Sequence, residues 1–241
     1  MSAILSARNL TKRYGDMVVV NDVSFDVPQG AVMSLIGPNG AGKSTIFNLL
    51  TGYTPLNAGS VEFAGRRLDG MATHRIAAMG IARAFQIARP FRGLSVRDNI
   101  RVGALYGKAG ARDVEVSIEL ALRLANMADL AEQPAATLTI GQLRKLELAR
   151  AIAARPALLL ADEPLAGLVP AESDEILASF RAMIGHGMTI LLVEHDMPAV
   201  MRVSDRVVVL DAGQLIADGP PETVARDPRV IEAYLGQDVP A

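Results

Sequence analysis

The sequence predicts an α/β fold, a parallel sheet covered by helices with a helical segment inserted between its parts. Three observations carry this. Half of the 241 residues are hydrophobic, yet only 4% are aromatic and none is Trp, so buried positions fall to Ala, Val, Ile and Leu, as in parallel strands covered on both faces. Apolar runs such as Ala31–Ile36, Ala157–Ala161, Thr189–Val193 and Arg206–Leu210 have the length of buried strands rather than helices. From Phe91 to about Pro134 the pattern changes to helical spacing, after which strand-like runs return. A chain of this length suits one mid-sized domain with a substantial core.

Taken in order, Ile4–Leu10 and Val18–Val27 are β-branched-rich segments around a Tyr14-Gly15-Asp16 turn, which predicts two strands. Ala31–Ile36 is a strand running into a glycine-rich loop, and Thr45–Leu50 continues as a helix stopped near Gly52. Gly59–Gly65 alternates and turns, as a hairpin strand on a sheet edge would. Ser95-Val-Arg-Asp98 has the form of a capping box with a shortened acid, opening a helix toward Tyr106. Gly107–Gly110 breaks that helix, and Val114–Met127 resumes it. Gly141–Ala154 is a further helix, set off by Pro156 from the strand Ala157–Ala161, and Arg206–Leu210 turns at Asp211–Gly213. The expected organisation is a core of residues 1–86 and 141–225, a helical subdomain of residues 87–140, and a C-terminal helix and tail of residues 226–241.

Charge and composition exclude several functions. With 24 basic and 26 acidic residues the formal net charge is −2, so no electrostatic footprint marks nucleic acid or an anionic membrane as a partner. The absence of cysteine rules out disulfide and thiolate chemistry. The N-terminus carries no signal-peptide pattern. The longest apolar runs fall far short of the ~20 residues of a spanning helix. The chain is expected to be soluble by itself and to meet a membrane only through partners.

The chemistry starts at Gly37-Pro-Asn-Gly-Ala-Gly-Lys-Ser-Thr45, which fits G-x-x-x-x-G-K-[ST] with a strand before and a helix after. Glycines let successive backbone N–H groups face inward as an anion nest, and the helix N-terminus adds partial positive charge. Lys43 supplies a full charge at the β- and γ-phosphates, and Ser44 is placed to ligate Mg²⁺. A second constellation follows the strand 157–161: Asp162 and Glu163. Strand-end carboxylates lie at the sheet edge where the phosphate loop also lies. Asp162 would hold Mg²⁺ through water and Glu163 would act on the attacking water, although acidic pairs after strands also serve as plain helix caps. His195 follows the strand 189–193 and takes an equivalent strand-end position, whereas His74 and His186 are read as structural.

Four further segments turn these parts into a resemblance. Leu138-Thr-Ile-Gly-Gln142 looks like the signature motif of ABC transporter ATPases. Gln86, in Arg-Ala-Phe-Gln, matches that family's Q-loop. Tyr14 falls where its adenine-stacking aromatic lies, and His195 matches its switch histidine. The resemblance implies a P-loop NTPase fold, a RecA-like core with an antiparallel β edge plus an inserted α-helical subdomain. With Tyr14, the nucleotide-binding set becomes Val20, Asn39, Gly40, Gly42, Lys43, Ser44 and Thr45. Glu163, His195 and Gln86 are then the catalytic set, and Ser44, Gln86 and Asp162 (via water) the metal set. The cofactors are ATP and Mg²⁺. Two such domains sandwich two ATPs, so Thr139, Gly141 and Gln142 would complete the γ-phosphate shell of the opposite subunit. Gln86 would couple the Mg²⁺ site to the helical subdomain.

Two departures from the family pattern stand out. Thr139 replaces the usual signature Ser but keeps a hydroxyl. Val169 replaces the usual D-loop Asp, or the Asn often found in amino-acid importers, and offers neither charge nor hydrogen bond.

Ala84–Gln86 with Phe91–Asn99, Glu194–Met197 and Ile231–Gly236 resemble branched-chain amino-acid importer ATPases in particular. After His195 there is room only for closing strands and a short helix, so no added regulatory domain is expected. The implied partners are two transmembrane permease subunits, a second ATPase subunit, identical or not, and a periplasmic or surface solute-binding protein. The implied place is the cytoplasmic face of the membrane. Related ATPases serve urea, amide, aromatic-acid and lipopolysaccharide systems. A non-transport ABC ATPase is the more distant alternative, since no paired cassette, coiled-coil insertion or zinc module is visible.

Overall fold

The computed structural model of the chain describes residues 2–107 and 113–235, in two compact units, residues 1–76 with 191–241 and residues 77–190. The first unit opens with β1 (Ala3–Tyr14), β2 (Met17–Pro28), β3 (Val32–Ile36), α1 (Lys43–Leu50), β4 (Ala58–Phe63), β5 (Arg66–Arg67) and the start of α2 (Thr73–Met79). The second holds β6 (Ile81–Ala84), α3 (Val96–Leu105), α4 (Val114–Leu124), α5 (Ile140–Ala153), β7 (Leu158–Asp162), α6 (Pro170–Gly185) and the beginning of β8 (Thr189–Val193). The chain then returns to the first unit with α7 (Met197–Val203), β9 (Arg206–Asp211), β10 (Gln214–Gly219), α8 (Pro221–Val224) and α9 (Pro228–Leu235).

Within the first unit, β2, β1, β4 and β5 form an antiparallel sheet in that order. Alternation along β1 buries Leu5 and Ala7, and Leu10 is buried again after a register shift, with Leu5 opposite both Val27 and Phe63. β4 is therefore an interior strand, flanked by β1 and the two-residue β5. The edge position expected for Gly59–Gly65 is wrong, because Arg66–Arg67 folds back to pair with Glu62 and Phe63. Elsewhere in this unit β3 runs parallel to β9, which pairs antiparallel with β10. Every residue of β3 is buried, and Ile36 joins Val200, Val207, Val209, Ala217, Val224 and Val230 in one apolar cluster.

The second unit pairs β6 with β7 in parallel. All five residues of β7 are buried, the four apolar ones and the closing Asp162 alike. Helices α3, α4 and α5 start within a residue of where the sequence expects, whereas α6 was not among the expected helices. Ser95 caps α3, its hydroxyl accepting the Asp98 N–H at 3.1 Å. The shortened acid bonds that hydroxyl at 2.9 Å. Of the helix break at Gly107–Gly110, only Gly107 is among the described residues, and Gly236 to Ala241 likewise lie outside them. No described helix is long and apolar enough to cross a membrane.

Candidate functional site

The phosphate loop is shaped by its neighbours in the first unit. Gly37, Gly40 and Gly42 all sit at positive φ, 147°, 80° and 102°, a region that Cβ-bearing residues enter only at a cost. Space reinforces conformation at two of them. A Cβ at Gly37 would overlap the Leu210 carbonyl, and one at Gly42 would sit 2.8 Å from the Val19 carbonyl oxygen. The turn between β9 and β10 supports the loop from below: the Gly213 N–H donates to Ala41 O at 3.2 Å, and Asn21 N–H donates to Gly213 O at 2.8 Å.

Gly42 is the N-cap of α1 and provides no side-chain cap, so the first N–H groups of that helix suit an anion. Lys43 is buried, and its ammonium donates to Gly37 O at 2.6 Å and Pro38 O at 2.8 Å. Asn39, Gly40 and Ser44 are exposed and Thr45 is half-buried. Val20 has no exposed surface and packs 3.4 Å from where a Gly42 Cβ would stand. Tyr14 is 49% exposed, with the Lys12 ammonium 5.0 Å from its ring centroid. His195 is exposed just beyond β8, its backbone N–H donating to Glu194 Oε2 at 3.1 Å.

The second unit holds the carboxylates, the Q-loop and the signature. Asp162, the last residue of β7, is buried in an ion pair with Arg83 of β6 at 2.5 Å. Glu163 follows in a left-handed conformation, φ 46°, a strained choice for a residue with a long side chain. Gln86 Nε2 donates to Glu163 Oε2. Neither carboxylate caps a helix; both are engaged by side chains from the segment 83–86. Arg83 stands in the Arg-Ala-Phe-Gln stretch but carried no role in the sequence reading, since its partner is 79 residues away. The same segment is tied to α5. Glu147 accepts from the Phe85 backbone, and burial raises its carboxyl above the usual range against the pull of Arg150. Arg150 also donates to Arg89 O at 3.1 Å and lies over the Phe91 ring.

At the start of α5 the signature forms a complete capping box. The Thr139 hydroxyl accepts from the Gln142 N–H at 3.2 Å, and Gln142 Oε1 accepts from the Thr139 N–H at 2.9 Å. Gly141 is buried, and a Cβ there would overlap the Glu172 carboxylate. That carboxylate also accepts from the Val169 N–H at 3.3 Å. Val169 is the N-cap of α6 and is 59% exposed. The exposed valine therefore leaves its helix with half a capping box, closed by Glu172 alone. Of the two remaining histidines, the His186 ring meets Ala182 O at the end of α6, as a structural histidine would.

A family model described as ABC transporter matches residues 20–166. A second, described as branched-chain amino acid ATP-binding cassette transporter, matches residues 214–240. The chain is 39% identical to the high-affinity branched-chain amino acid transport ATP-binding protein BraF of Pseudomonas aeruginosa, over 97% of this chain and 98% of that one. It is 38% identical to LivG of Escherichia coli, a protein of the same description, over the same shares. An ATP-binding cassette of an ABC transporter solved in its ADP conformation superposes with a TM-score of 0.88. That cassette is 28% identical, and the match covers 98% of this chain and all of the other.

Proposed function

The chain belongs to the ABC transporter family of ATP-binding proteins, and we propose that it spends Mg²⁺-ATP to drive import of branched-chain or other hydrophobic amino acids. The match of residues 214–240 to the branched-chain model supports the solute class, because it lies wholly outside the stretch that marks the ATPase. BraF and LivG, aligned over nearly their whole lengths, carry the same description.

In this reading Lys43 leaves the Gly37 and Pro38 carbonyls for the β- and γ-phosphates, and the α1 N-terminus binds the same anion. Ser44, Gln86 and, through water, Asp162 would hold Mg²⁺. The chemistry such an ion would supply there is neutralisation of charge developing on the phosphate oxygens. Glu163 takes the proton of the attacking water, and His195 attends the γ-phosphate. Thr139, Gly141 and Gln142 serve the nucleotide of a second ATPase subunit. Two transmembrane permeases and a solute-binding protein complete the importer, and the chain attaches to the cytoplasmic side of the membrane through the permeases.

The test is reconstitution with its two permeases in liposomes. A leucine-loaded binding protein is expected to stimulate ATP hydrolysis. Stimulation only by urea, an amide or an aromatic acid overturns the solute class, and a complex without ATPase activity overturns the function. Val169→Asn probes the D-loop in the same assay. Asn caps helices where Val cannot, so the variant is expected to be about 1 kcal/mol more stable. ATP affinity should stay unchanged while turnover changes; identical turnover in the complex refutes a D-loop role for this position.

A further inference from the structure

Helix α9 carries a tyrosine that the proposed chemistry does not use. Tyr234 packs with Met197 against the apolar cluster that includes Val230 of its own helix and Ile36 of β3. Ile36 is the residue immediately before Gly37, so the ring reaches the point where strand becomes phosphate loop. Its hydroxyl is buried and meets no hydrogen-bond partner of good geometry among the described residues. The backbone amide of Gly37 lies beside it. Burial pushes the phenol up to about 12 while that amide pulls the other way, so the group acts as a neutral hydroxyl. A buried hydroxyl without a partner is costly and calls for an explanation.

Gly37 itself is confined. Its carbonyl accepts the Lys43 ammonium at 2.6 Å, and the Leu210 carbonyl blocks its Cα on another side. Phosphates that draw Lys43 away release one of these restraints.

We propose that Tyr234 is a positioning residue for the phosphate loop, its hydroxyl oxygen accepting the Gly37 N–H once nucleotide has drawn Lys43 off the Gly37 carbonyl. The C-terminal helix then contributes to nucleotide affinity without touching nucleotide. This rests on the loop being the ATP site. It also gives the stretch matched by the branched-chain model a task inside the ATPase itself.

Tyr234→Phe keeps the ring and its packing and removes only the hydroxyl. Full-length wild type and variant are melted with and without Mg²⁺-ATP, and affinity is read with a fluorescent ATP analogue. Without nucleotide the variant is expected to melt at or above the wild-type temperature, because an orphaned polar group has gone. With nucleotide its stabilisation shrinks, and its Kd rises about fivefold, the worth of one neutral hydrogen bond. A variant that ATP stabilises as strongly as wild type overturns the inference alone, whatever its nucleotide-free melting temperature. A wild type that ATP does not stabilise overturns the ATP site and the inference together.

Discussion

Glu163→Gln is expected to lower ATP turnover by about 10²–10⁴-fold, the range assigned to a positioned general base, while ATP binding survives. The argument rests on what the substitution keeps. Glutamine has the same length, can occupy the same left-handed backbone position, and can still accept the Gln86 amide through its side-chain oxygen. What it loses is the ability to take a proton from water. In the proposed pairing of two ATPase subunits, nucleotide that binds but is not cleaved would hold them together, a population shift driven by ligand, so the variant is expected to elute as a dimer with ATP and as a monomer without it. A variant that turns over at the parental rate, or stays monomeric with ATP, removes Glu163 from the role assigned to it.

The second large effect is on stability. Arg83→Met leaves Asp162 as an uncompensated charge in a site where both side chains are under one-tenth exposed, and breaking a buried pair this way costs about 3–5 kcal/mol. For a chain of this size that lowers the melting temperature by roughly 10 °C. Removing both charges, Arg83→Met with Asp162→Leu, is expected to recover most of the loss, because a buried pair replaced by apolar groups of similar volume is often neutral. Thermal melts of the single and double variants read this directly. A single variant melting within about 2 °C of wild type, a shift worth no more than about 1 kcal/mol, shows that the pair contributes little.

The site was legible in the sequence where chemistry is local. Gly37–Thr45 announces itself within nine residues, and Asp162 and Glu163 follow the five apolar residues Ala157–Ala161. Thr139 and Gln142 are three apart and cap one helix, so their link also follows from spacing. What escaped were elements without a periodic signal. β6 is four residues, Ile-Ala-Arg-Ala, with a charge inside it, and that charge is explained only by a carboxylate on the neighbouring strand. β4 was placed at an edge because its partner β5 is two arginines long, too short to register as a strand. Tyr234 and Glu172 act on glycines far away in the chain, and a glycine does not reveal what leans on it.

The ammonium of Lys43 lying on two carbonyls of its own loop bears on kinetics. A cation buried without such partners would repel its surroundings and leave the loop to reorganise around each arriving nucleotide. Here the charge is already satisfied by Gly37 and Pro38, so arrival of ATP exchanges one set of acceptors for another within a shape that already exists.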